Sequence, residues 1–282
     1  MVAAMLFFAL EDVLLKQLSS TLPIGQVVAL AGMGGGLIFS LIAWRTRQPL
    51  LSPALLTRPV LLRNATEAIG SAAFITALAL ATLSEVSAIL QATPLAMTLG
   101  AALFLGETVG WRRWTAIAVG FAGVLLIIQP GMVSFTPASF LAVLTVALLA
   151  TRDLCSRAVP AEVSSVQLAA WGFLSLVPAG LVVLLIGGAA PMVMSASQLL
   201  RMGCVFIVGS LGYYAIVAAT RTGDVSAVVP FRYTRLVFAL VLAHFVFDER
   251  PDALMLAGAA VVVGTGLYTI WRTALVARNT GG

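Results

Sequence analysis

Arg232 and Arg235 stand three residues apart in the stretch VPFRYTRLVF, residues 229–238, inside a long apolar run. That spacing places both on one helix face. Two guanidinium forks side by side can hold a carboxylate, a phosphate or a planar polar group. Two acids lie in comparable surroundings. Glu11 is ten residues past Met1 and Glu67 eight past Pro59, depths of roughly 15 and 12 Å at the helical rise of about 1.5 Å per residue. Arg232 and Arg235, counted from Asp224, reach roughly 12 and 16 Å. Charges at that level of a hydrocarbon core about 30 Å thick are costly and normally face a partner or a wet cavity. One expectation is therefore a cavity lined by both arginines and both acids. The other is an internal salt bridge, for example Glu67 to Arg232.

Further polar groups extend this set. Asn64, Glu67 and Ser71 form a stripe on one helix face, continued by Phe74. Glu11 and Asp12 point about 100° apart, so Glu11 is the cavity candidate, and Asp12 is expected to pair with Lys16 four residues on. Gln91, Thr93 and Pro94 interrupt one apolar run and Pro230 another, and each proline frees a carbonyl and can kink its helix. Tyr213, Tyr214 and Tyr233 could stack on or hydrogen-bond a solute, and only one of the adjacent pair can face the centre. The single histidine, His244, excludes a multi-histidine metal site, and Cys155 and Cys204 have no metal or redox spacing. No nucleophile–base arrangement is present, so neither an enzyme nor a cofactor is expected. Glu107 and Glu249 fall where one apolar run ends and the next begins, and are expected to serve hairpin structure. The glycines of Gly32–Gly36, Gly120, Gly123, Gly258, Gly264 and Gly266 suit close helix packing.

The elements that must position these groups are membrane spans. Of 282 residues 61% are hydrophobic and only 10% charged, against about 25% in soluble domains; the mean hydropathy is +1.07. Ten runs reach the length of about 20 residues that crosses a bilayer: 2–18, 24–44, 60–81, 85–105, 112–129, 134–152, 163–187, 198–219, 225–246 and 253–271. The net charge of +5 does not imply nucleic acid, because the basic residues fall singly or in pairs beside apolar runs with no basic face. Arg45, Arg47, Arg58, Arg63, Arg112, Arg113, Arg152, Arg157, Arg221, Arg272 and Arg278 collect on one side, which puts both termini in the cytoplasm of a bacterial inner membrane.

The chain also repeats itself. EVSAI at 85–89 reads like DVSAV at 224–228, and Gly106-Glu107 like Asp248-Glu249. This divides the chain into 1–133, helices 1–5, and 134–282, helices 6–10. Two copies of an odd number of spans must lie in opposite orientations. The expected fold is thus an all-α polytopic membrane protein of ten helices in two inverted five-helix repeats, a plan of secondary transporters with the solute site between the halves. A channel for small solutes is the alternative.

The tracts EVSAILQATPLAMTLGAALFLGETVGWRRWTAIAVGFAGVLLIIQPG (85–131) and DVSAVVPFRYTRLVFALVLAHFVFDERPDALMLAGAAVVVGTGLY (224–268) resemble the drug/metabolite transporter superfamily, in bacterial proteins with two EamA-type domains. The resemblance covers essentially the whole chain. It departs at Asp248, where a glycine often precedes the hairpin glutamate, and in the first helix, which lacks the usual cytoplasmic leader. It implies a cavity formed mainly by helices 1, 3, 4, 6, 8 and 9, with 5 and 10 peripheral. Glu11, Asn64, Glu67, Gln91, Tyr213 or Tyr214, Arg232 and Arg235 then lie on cavity helices. Such transporters carry amino acids, nucleotide-related metabolites, vitamins, polyamines or drugs, some inward and some outward. FRYTRL is similar to the ninth-helix tract of relatives described as S-adenosylmethionine or riboflavin transporters. The expected partners are a small metabolite and membrane lipid, with protons or a counter-substrate as coupling candidates and no nucleic acid. The expected state is a monomer or weak dimer, working by alternating access.

Overall fold

A computed structural model of the chain describes residues 1–107, 110–130, 138–222 and 229–280. The helices are α1 (Val2–Ser19), α2 (Ile24–Arg45), α3 (Arg58–Leu80), α4 (Leu83–Leu90), α5 (Thr93–Phe104), α6 (Trp111–Ile128), α7 (Ala138–Ser156), α8 (Ser165–Ile186), α9 (Ala196–Thr222), α10 (Thr234–Phe247) and α11 (Ala253–Thr280). Eight spans are long and apolar enough to cross a membrane, α4 and α5 counting as one. Outside that set are α1, which carries Glu11, Asp12 and Lys16, and α3, which carries Arg58, Arg63 and Glu67. The chain is an all-α polytopic membrane protein with eight to ten apolar helices. The repeated segment at 224–228 and the boundary at 133/134 lie outside the described residues.

Both proline-interrupted runs are broken rather than gently bent. The fourth run stops at Leu90 and restarts at Thr93, with Pro94 in the first turn of α5, where its missing N–H costs nothing. Polar side chains take up the freed carbonyls: Gln91 Nε2 donates to Ser87 O at 3.3 Å and Thr93 Oγ1 to Leu90 O at 2.6 Å. In the ninth run Pro230 lies in a 3₁₀ turn, Val229–Tyr233, that leads into α10. Each break turns side chains of adjacent residues toward the interior.

Helix contacts fall into pairs. α2 packs on α8, α6 on α11, α1 on α9 and α10, and α7 on α3, α4 and α5. Glycines set the closest approaches. A Cβ on Gly25 would collide with the backbone of Gly180 and Leu184, and one on Gly123 would lie 3.0 Å from Gly258 O. Both seams are built as small residues allow. Two hairpins share one backbone turn. Gly106 and Asp248 have φ of 66° and 52°, and the following Glu107 and Glu249 donate their N–H groups to Ala101 O at 3.2 Å and Ala243 O at 3.1 Å. Aspartate tolerates the left-handed conformation better than most residues, so Asp248 stands where glycine is the easier choice.

Candidate functional site

A cavity of about 460 Å³ lies at the centre of the bundle. Its walls come from α1, α2 (through Ala31), α3, the α4–α5 break, α7, α8, α9, the 3₁₀ turn and α10. The helices implied by the resemblance all contribute. The seventh span, α8, adds Ala169, Gly172, Phe173 and Leu176, while α6 and α11 contribute none of the lining. The charged lining residues Arg63, Glu67, Arg152 and Asp153 lie toward one end of the bundle, the end where α2 finishes in Arg45 and α3 begins with Arg58, and Leu15, Ala31 and Ile75 mark the inner limit of the cavity. The opposite end is filled by Leu18, Leu78, Leu83, Val86 and Ala243, all buried.

Six expected site residues line the cavity: Glu11, Glu67, Gln91, Tyr213, Arg232 and Arg235. Three lie elsewhere. Asn64 Oδ1 accepts from Arg63 Nη1 at 2.9 Å, one step off the lining. Tyr214 is 73% exposed on the outer face of α9. Tyr233 is buried with its hydroxyl against Gly266 of α11. Tyr213 donates from its hydroxyl to Ser165 O at 2.9 Å and packs edge-on against Phe39.

The charged groups pair differently from the sequence expectation. Asp12 does not pair with Lys16. Its carboxylate, 2% exposed, accepts from Arg235 Nη2 at 2.7 Å and Nε at 3.1 Å, a bidentate geometry that suits arginine. The Phe8 and Phe74 rings lie 5.4 and 5.8 Å from that guanidinium. Lys16 instead reaches across to α3, donating to Leu78 O at 2.9 Å and to Ala81 O. Only proximity in space could reveal this, because the free carbonyls at a helix C-terminus draw a cation as strongly as a carboxylate four residues away. Nor does Glu67 pair with Arg232. It accepts from Arg152 Nη1 at 3.1 Å, Arg63 Nη2 at 3.3 Å and Ser71 Oγ at 3.3 Å.

Arg63, Arg152 and Asp153 therefore join the site, although charge counting assigns both arginines to the cytoplasmic rim. Two signals were available: Arg63 lies four residues before Glu67, and Arg152-Asp153 falls within the last two turns of α7. Arg63 Nη1 also donates to Leu168 O at 3.0 Å, and Arg152 Nε to Asp153 Oδ1 at 2.8 Å. This network joins α3, α7 and α8 beneath the cavity.

At the filled end, Glu249 extends its carboxylate to the start of α4, accepting from Leu83 N–H at 2.8 Å and Ser84 N–H at 2.9 Å. Lys16 Nζ lies 4.0 Å from the same carboxylate and 5.5 Å from the Phe247 ring. Nearby, Ser139 donates to Glu85. At the cavity end Glu107 forms an exposed ion pair with Arg157 at 2.9 Å.

Comparison with known proteins fits this geometry. The chain is 27% identical over 197 residues to an S-adenosylmethionine uptake transporter of Rickettsia bellii, a match covering 69% of this chain and 66% of that protein; it thus spans slightly less than two thirds of that relative. It is 29% identical over 229 residues to a riboflavin transporter of Rhizobium johnstonii, covering 81% and 72%. A solved crystal structure superposes with a TM-score of 0.62 at 18% identity over 99% of both chains, a likeness of fold alone. The EamA-like transporter family model matches twice, at residues 1–129 and 136–271. The chain therefore belongs to the EamA-like transporter family, whose members are transporters and not enzymes.

Proposed function

We propose that the protein moves a small polar or amphipathic metabolite across the bacterial inner membrane by alternating access, with both termini cytoplasmic and the solute held between two inverted halves. The observation that carries this reading is the asymmetry of the bundle: a charged cavity toward one end and packed Leu18, Leu78, Leu83 and Val86 at the other. A channel needs a path through both ends, so this arrangement favours a transporter. The inverted repeat is supported by the helix pairs. Contacts of α1 with α9 and α10 match those of α7 with α3 and α4 when each span is exchanged for the one five places away, and α2–α8 and α6–α11 map onto themselves. The double family match divides the chain close to the same place.

On this reading Glu11, Glu67, Gln91, Tyr213, Arg232 and Arg235 face the solute. Asp12–Arg235 and Glu67–Arg152 hold the cavity walls in register. Opening the far end must break the contacts of Glu249 with α4, which join the two halves there, and Lys16, held on the end of α3, lies beside them. S-adenosylmethionine and riboflavin are the first solutes to try, because proteins similar to this chain are transporters of each. The test is uptake of both labelled compounds by liposomes holding the purified protein, with and without a pH gradient. Saturable uptake of either supports the reading, and its dependence on the gradient reports proton coupling. Absence of uptake of both, or non-saturating flux like that of a pore, overturns it.

A further inference from the structure

We infer that Arg232 and Glu11 form a two-point charged site for a zwitterionic solute, Arg232 receiving its carboxylate and Glu11 its cationic group; the inference rests on the transport reading above and deepens it. Eight charged side chains line the cavity, the acids Glu11, Asp12, Glu67 and Asp153 and the bases Arg63, Arg152, Arg232 and Arg235. Six of them are already joined to one another: Asp12 to Arg235, and Glu67 and Asp153 to Arg63 and Arg152. Glu11 and Arg232 remain. Among the described residues neither makes a hydrogen bond or an ion pair.

The neighbours of each explain why. The carboxylate beside Glu11 in sequence, Asp12, is occupied by Arg235, and that contact draws Arg235 toward Asp12. The Glu11 carboxylate rests on the backbone of α9 at Gly209, where a Cβ would lie 2.6 Å from Oε1. Arg232 projects from the 3₁₀ turn. The acid within electrostatic reach of it, Asp153, is held by Arg152. An unpaired charge on a low-dielectric wall is costly. A solute carrying both signs relieves two such charges at once, and a solute of one sign relieves only one. The lining holds four acids and four bases, so a solute without net charge at its head group preserves the balance. Phe8, Phe74 and Met97 offer an apolar wall for the rest of the molecule.

The test is equilibrium binding to the full chain in nanodiscs of three probes: S-adenosylmethionine, its decarboxylated analogue, which keeps the sulfonium and the amine, and riboflavin, which is uncharged. S-adenosylmethionine should bind about 10- to 100-fold more tightly than the decarboxylated form, the worth of a charge-assisted contact. Arg232→Gln should erase that difference and Arg232→Lys partly restore it. Glu11→Gln should weaken both sulfonium compounds alike. Thermal unfolding of each variant without ligand separates lost recognition from lost folding, and the ratio between the two sulfonium probes is read within one protein. Equal affinity for the two, a difference that survives Arg232→Gln, or failure of all three probes to bind overturns the inference. Binding of riboflavin alone also overturns it, yet riboflavin uptake in the liposome assay would leave the transport reading standing.

Discussion

Glu107 and Glu249 follow the same turn in two places and meet different fates. Each succeeds a residue of positive φ, Gly106 or Asp248, and each sends its N–H back to an alanine carbonyl. The Glu249 side chain is 10% exposed and caps α4 beside Lys16. The Glu107 side chain is 49% exposed and, among the described residues, pairs with the half-exposed Arg157. The local fold is identical, so the difference comes from what each end of the bundle packs against. One end is closed and its carboxylate joins the closure; the other borders the cavity and its carboxylate faces outward. Under the proposed alternating-access reading these environments exchange, and Glu107 is expected to take the buried role when the cavity opens to the opposite side.

That comparison can be broken by substitution. The largest effect is expected for Glu249→Ala, which removes two charge-assisted bonds from the N-terminus of α4 and should cost about 2–4 kcal/mol, read by chemical unfolding in detergent, together with loss of solute uptake. Lys16→Met comes next, at about 2 kcal/mol for its bonds to the α3 carbonyls. A cysteine placed among the filled-end residues, for instance at Ala243, should become reactive toward a membrane-impermeant thiol reagent in this variant and not in the parent. Asp252→Ala should cost about 1 kcal/mol by removing the N-cap of α11, where Asp252 Oδ1 accepts from Met255 N–H at 2.7 Å. The Met255 N–H and the Gln129 amide hold the Asp252 carboxyl below its usual range. Its contribution is therefore complete at neutral pH and is lost only as pH falls from about 4, the unfolded value, through the lower folded one. Glu107→Gln should cost less than about 1 kcal/mol, since its partner is exposed. If it destabilises as much as Glu249→Ala, the two ends are equivalent and the comparison fails. Smallest of all, Asp248→Gly should stabilise by about half a kcal/mol by relieving a left-handed aspartate, making the two turns chemically alike.

Much of the fold is legible in the chain. Apolar runs of bilayer length, separated by proline and charge, mark the spans to within a few residues at most ends, because hydrocarbon imposes one length and one secondary structure. Pro94 and Pro230 announce the two breaks, since a missing N–H acts locally. The site is legible in part. Arg232, Arg235, Glu11 and Glu67 stand out because charge is rare at their depth, and the cavity receives all four. Tyr214 and Tyr233 show where local reading ends. Adjacent aromatic residues differ by about 100° around a helix, and nothing in their chemistry says which one faces inward.

The sequence alone determined that the chain crosses a membrane many times, where it breaks, and which charges must find partners, because burial in hydrocarbon penalises each residue individually. Only the tertiary structure decided the partners. Asp12 had Lys16 within one helical turn and took Arg235 from across the bundle; Lys16 took the end of α3; Glu67 took Arg152. Each contact joins groups more than 60 residues apart in the chain, and the choice among several opposite charges rests on which geometry satisfies the most donors at once. The same long-range packing left Glu11 and Arg232 facing the cavity.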